Sequence, residues 1–232
     1  MGVLRDEIRL LTFRLTRDEF DRLDRRHLIF GLTATWLVGM GRWWDDPGAS
    51  LLQHLGLGSV VYVFVLSATI WLVVKPLNPA KWTYCHVLTF ISLTSPPAIL
   101  YAIPVERFAD IPTARSINVW FLATVAICRV ALLFFFLRRH ARLKCYALVS
   151  ASLLPLTAIV VTLSVLNLER VAFDVMGGLR DTGNPNDAAY SIVFGLSLLS
   201  VVLFIPIVIV YAVTVAMGGR LDEDDSRDGV EE

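Results

Sequence analysis

The sequence predicts an all-α fold, a polytopic transmembrane helical bundle of six spans, or five if the first run does not cross, with short loops and both termini cytoplasmic. Three observations carry this reading. Of 232 residues, 56% are hydrophobic and 18% charged, with a mean hydropathy of +0.63, and the apolar residues fall in long runs rather than alternating strands. The mostly apolar stretch from Ile117 to Leu137, interrupted by Arg129, closes on Arg138, Arg139, His140, Arg142 and Lys144, the pattern of a span with a cytoplasmic basic stop. Six spans place 15 lysines and arginines inside and 5 outside, whereas five spans give 12 against 8. The positive-inside rule favours six.

Composition also excludes classes. Acidic and basic residues balance at 21 each, so no nucleic-acid partner is expected. Cys85, Cys128 and Cys145 lie in or beside spans at spacings that suggest no disulfide framework. The first 26 residues are charged throughout, unlike a signal peptide, and Asp6 stands where a myristoylation signal has Ser or Thr.

Residues 1–26 read as a cytoplasmic amphipathic arm. Leu4, Ile8, Leu11 and Leu15 recur at helical spacing, with Arg5, Asp6, Glu7, Arg9 and Arg14 on other faces, so this helix lies along the membrane surface or against the bundle. Thr16 and Glu19 have capping-box spacing, with Leu15 and Phe20 as a hydrophobic staple, so a second short helix starts near Arg17.

The transmembrane domain covers 27–217, with spans near 28–44, 51–74, 82–103, 117–137, 146–168 and 189–217. The first is short, and needs Gly41 to Trp44 to reach spanning length, with Arg42 snorkelling outward. Its Gly31, Thr35 and Gly39 recur every four residues, a small-residue stripe suited to close helix packing. Asp45-Asp46-Pro47-Gly48 is a turn whose adjacent carboxylates lack further ligand spacing. The third span carries Ser92, Ser95, Pro96 and Pro97 in its middle; consecutive prolines remove two donors, which predicts a kink or broken helix there. The fifth contains Pro155, and the sixth, 29 residues with Pro206, must tilt, kink or protrude. Between them, Glu169 to Ala188 is an Asx-rich loop without EF-hand spacing. Residues 218–232 are acidic and without apolar periodicity, the composition of a disordered tail.

Arg129 is the costliest residue, since a charge near mid-membrane carries a penalty of about 2.5 to 3.5 kcal/mol on insertion scales. No Asp or Glu lies in any of the predicted spans. On helical rise, Arg129 lies roughly 12 Å above the inner end of its helix, Pro155 roughly 13 Å, and Ser92 with Leu93, whose carbonyls Pro96 and Pro97 would leave free, roughly 15 to 17 Å. Arg129, Ser92, Ser95, Pro96, Pro97 and Pro155 therefore share a depth. They suggest either a polar pocket between spans three, four and five that takes an anionic or carbonyl-bearing substrate, or an arginine that caps carbonyls freed by the prolines.

Neither a metal site nor a cofactor is expected: His54 and His86 sit roughly 20 Å apart along the normal, and His27, His86 and His140 follow no ligand spacing. With no nucleophile-base pair, paired carboxylates or glycine-rich phosphate loop, no catalytic residue is assigned and enzymatic activity is disfavoured. The preferred expectation is a non-enzymatic membrane scaffold or accessory subunit, in contact with the lipid bilayer and, through the stripe and the arm, with a protein partner or a second copy. A small transporter or channel built on Arg129 is the alternative, disfavoured by the lack of intramembrane carboxylates. The expected location is the bacterial cell (inner) membrane.

Overall fold

The computed structural model describes residues 2–41, 51–79, 81–165 and 188–217. The Arg42–Trp44 end of the expected first span, the Asp45 turn, the Asx-rich loop and the acidic tail lie outside these residues. Among the described residues the secondary structure is helical, in nine α-helices: α1 (Val3–Leu11), α2 (Arg17–Phe20), α3 (Arg25–Met40), α4 (Leu51–His54), α5 (Leu57–Val74), α6 (Tyr84–Leu93), α7 (Ile111–Arg139), α8 (Cys145–Val165) and α9 (Ala188–Met217). Four helices, α5, α7, α8 and α9, contain stretches long and apolar enough to cross a membrane, and α6 with the 3-10 helix Pro96–Ala102 makes a fifth crossing element bent by 42°.

The bend falls where the prolines predict it. Pro96 and Pro97 cannot donate, so the α-helical ladder stops at Leu93 and Ala98 N–H turns back to Ser95 O at 2.9 Å in 3-10 geometry. Pro155 and Pro206, by contrast, lie inside helices that continue past them.

Three boundaries differ from the sequence reading. The second run is broken into α4 and α5 by Gly56, whose φ of +67° is left-handed; a side chain there would be strained and would also meet Met40 N at 2.7 Å. Helix α7 starts at Ile111 rather than Ile117, because Asp110 takes the N-cap position with extended backbone and Pro112 occupies the first turn, where its missing N–H costs nothing. Helix α3 starts at Arg25, capped by Asp24, whose Oδ1 accepts from Arg26 N–H at 2.9 Å and His27 N–H at 3.3 Å. Its 16 residues span roughly 24 Å at about 1.5 Å per residue, against a hydrocarbon core of about 30 Å.

Helix α6 is the hub. Every residue from Val87 to Leu93 is buried, with α3 on one side and α5 on another. The Gly31–Thr35–Gly39 stripe is the face α3 turns inward, together with His27. A Cβ at Gly31 would lie 2.3 Å from Ser92 Oγ and 2.9 Å from its carbonyl carbon; one at Gly39 would lie 2.9 Å from Gly56 O. Thr35 donates to Gly31 O at 2.8 Å, which commits its proton, so Ser95 donates to Thr35 Oγ1 at 2.7 Å. Within the chain the stripe is thus already covered, by α6 and by the start of α5. Helix α9 is the opposite case: it packs along α8 while Leu198, Val202 and Ile205 are more than half exposed, as suits a helix facing lipid.

Gly31→Ala is expected to cost about 1 to 3 kcal/mol, since the Ser92 backbone cannot rotate away. Gly58, with nothing within 4 Å of its Cβ position, should accept alanine neutrally or gain up to about 1 kcal/mol of helix stability. Reversible unfolding of both variants in mixed micelles measures the difference.

Candidate functional site

Two polar constellations stand out, one in mid-bundle and one where the arm meets the end of the bundle bearing Arg138 and Arg139. In mid-bundle, Arg129 Nε donates to Thr94 O at 3.2 Å. The α-helical donor for that carbonyl would be Ala98, which instead serves Ser95, and its 3-10 donor would be residue 97, a proline. The arginine thus replaces an N–H that the prolines removed. No carboxylate pairs with it among the described residues.

Arg129, Thr94 and Pro155 line one cavity of about 390 Å³ between α5, the bent α6 element, α7, α8 and α9. Its other walls are mainly apolar, among them Leu66, Ile70, Ile91, Leu122 and Leu133, with Tyr62 and Tyr101 adding two phenol rings. The sequence reading placed Ser92, Ser95, Pro96 and Pro97 at this depth. Ser92 and Ser95 instead face α3, and none of the four lines the cavity. Depth sets height along a helix but not azimuth: at about 100° per residue, Ser92 and Ser95 share one face while Ile91 and Thr94 share another. The freed carbonyl that finds Arg129 is likewise that of Thr94, not those of Ser92 or Leu93; Ser92 O accepts from Ser95 N–H at 3.2 Å.

The second constellation was not foreseen. The arm docks, but with acids inward: Asp6, Glu7 and Leu10 are buried while Leu4 and Ile8 are 65% and 62% exposed. Asp6 Oδ2 lies 3.2 Å from His27 Nε2, and His27 Nδ1 lies 2.8 Å from Asp24 Oδ1, so one buried ring joins α1 to the N-cap of α3. The capping box forms as expected, with Thr16 N–H donating to Glu19 Oε2 at 2.8 Å, and Glu19 also pairs with Arg9. Phe20, fully buried, meets Phe135, Phe136 and His140 at ring distances of 5.8, 5.4 and 6.2 Å. Phe136 stacks on Phe90 at 4.0 Å and on His140 at 5.1 Å, and His140 stacks on His86 at 5.6 Å. Asp21 bridges outward, accepting from Lys81 at 2.7 Å; its Oδ1 lies 3.2 Å from His140 Nδ1 but off the hydrogen-bond line, so the imidazole is buried without a bond. A single cluster of rings, stacked from Phe90 to His86 and met edge-on or tilted by Phe20, thereby links the arm, α6 and α7. Two of the contributors, Phe90 and Phe136, read in the sequence as ordinary apolar residues, and Phe20 as one half of a staple with Leu15.

Two groups in this region carry displaced titrations. Burial without a partner pushes Glu7 up to about 8. Burial, reinforced by His86 and opposed by Asp21, lowers His140 to about 4. Glu7 contributes most below pH 4.5, and its contribution is lost as pH rises through about 8; His140 contributes fully above pH 6.5 and loses this as pH falls through about 4. Amide exchange of the arm should therefore show declining protection on both the alkaline and the acid side. Glu7→Gln is expected to flatten the alkaline limb and His140→Phe the acid limb, each leaving the other in place.

Comparison of the chain with known protein families, with curated proteins and with solved structures finds no match.

Proposed function

We propose that the chain is a six-span membrane protein with cytoplasmic termini, acting as a non-enzymatic scaffold or accessory subunit of a bacterial inner membrane whose contact surface is the docked arm. Helix α3 is then the short first span, and the acidic 218–232 segment a second cytoplasmic contact. The observation that supports this reading is the arm's inverted packing: burial of Asp6 and Glu7 turns Leu4 and Ile8 outward, beside the exposed Arg5. Amphipathic helices commonly bury their apolar side. Here an apolar strip is presented from a base that the His27 and Phe20 contacts hold in place.

A second reading, a small transporter or channel, draws on the cavity at Arg129. It is the weaker of the two because the walls are largely apolar and the helices that form them contain no Asp or Glu to carry coupled protons.

A photo-crosslinking residue at position 8 in native membranes separates arm functions. The scaffold reading expects adducts with a second polypeptide, lost when Leu4 is changed to Glu; adducts with lipid alone would overturn it. Topology is checked with single cysteines in a background lacking Cys85, Cys128 and Cys145. Gly2→Cys should react with an impermeant reagent from the cytoplasmic side, and Ala49→Cys and Phe108→Cys from the opposite side. Reaction of Ala49→Cys from the cytoplasmic side would reduce the spans to five.

A further inference from the structure

We propose that the Arg129 cavity is a binding site for a single-chain amphiphile with an anionic head, a carboxylate or a phosphate monoester on an unbranched apolar tail. The proposal rests on the membrane reading given above, because it requires the flank of the bundle to face lipid. Its other premises are the charge of Arg129, the shape of the cavity and its chemistry.

An arginine stays protonated in any protein environment, so the side chain brings a full positive charge into a region with no acidic residue in α3 or in α5 through α9. One carbonyl, that of Thr94, answers its Nε–H. The two Nη groups carry four further N–H donors in the planar fork that matches a carboxylate or phosphate. The side chain is half-buried, and a cation partly withdrawn from water with one carbonyl to answer it is incompletely compensated; an anion on the fork would relieve that cost.

The cavity's shape sets the rest of the ligand. Along α7 its wall runs from Val119 to Leu133, roughly 21 Å at about 1.5 Å per residue. Arg129 sits off centre, with roughly 15 Å of wall between it and Val119 and roughly 6 Å between it and Leu133. The longer arm is lined by Val119, Leu122, Ala123 and Val125 from α7 and faced by Tyr62 and Leu66 from α5. A volume of about 390 Å³ lies within the range of small-molecule sites, and apolar walls with one off-centre cation suit a tail with one charge rather than a hydrated polar solute. Two lining residues, Tyr62 at 47% and Leu196 at 55% exposure, open the cavity to the outer flank of the bundle. Entry from the lipid phase follows from that opening, since apolar α9 forms one lip.

The test uses the full chain in nanodiscs of zwitterionic lipid, with recovery of folded protein there as the separate check on membrane insertion. Probes are dodecanoate, dodecyl phosphate and dodecanol, with acetate and inorganic phosphate as heads without tails. Wild-type protein is expected to bind dodecanoate or dodecyl phosphate saturably and at least tenfold more tightly than dodecanol, the tighter of the two identifying the head. Acetate and phosphate should not compete. Arg129→Gln should bring the charged probes to the dodecanol level, Arg129→Lys should keep part of the preference, and Ala123→Phe should weaken all three tailed probes about tenfold with the arginine intact. Equal binding of dodecanol and dodecanoate by the wild type, a charge preference that survives Arg129→Gln, or competition by acetate or phosphate alone would each overturn the proposal.

Discussion

A backbone carbonyl that loses its helical donor inside a membrane has no water to turn to, and the architecture of this bundle follows from where such carbonyls are answered. Pro96 and Pro97 create the severest case, and Arg129, reaching across from α7, supplies the missing donor to Thr94. The same solution recurs at smaller scale. Trp36 Nε1 donates to Leu55 O at 2.8 Å at the α4–α5 break, and Tyr211 Oη donates to Val73 O at 2.6 Å at the end of α5, just before Pro76. Each break in the ladder is thereby converted into a contact between two elements. Interruptions that would weaken one helix tie the bundle together.

The hub follows the same rule with hydroxyls. Thr89 and Ser92 in α6 and Thr94 just past its end, all buried, donate to carbonyls three or four residues back, and Ser95 reaches Thr35. Because these groups are satisfied within a few ångströms, α3 can approach at glycine distance and α6 can be buried from Val87 to Leu93. The arm extends the logic to the basic end. His27 holds Asp6 and Asp24, while Glu7 and His140 tolerate burial only by staying neutral, which ties docking of the arm to pH.

Much of this was legible in the chain. Consecutive prolines predicted the bent third element, spacing of four predicted the Gly31–Thr35–Gly39 packing face, and Thr16 with Glu19 predicted α2. Helical rise placed Arg129 and Pro155 at one depth, and both line the cavity. The failures have physical causes. Rise carries no azimuth, so Ser92 and Ser95 were assigned to the wrong side of α6. A glycine in an apolar run reads as packing, and the left-handed turn at Gly56 depends on the neighbouring Met40 backbone rather than on local spacing. Asp110 and Pro112 read as loop residues although they are also the residues that start a helix. The inward turn of Asp6 depends on a partner, His27, about twenty positions away, and no local period reports that.

The central claim is that Arg129 compensates for the donor Pro97 lacks, and a double-mutant cycle tests it most directly. Arg129→Met and Pro97→Ala would be made singly and together, and unfolding free energies measured in mixed micelles. Restoring an N–H at residue 97 gives the Thr94 carbonyl a local donor. The two changes are therefore predicted to couple by at least about 1 kcal/mol, with Arg129→Met costing less in the Pro97→Ala background. Additivity within about 0.5 kcal/mol would mean that the arginine and the broken helix are independent, and would contradict the account.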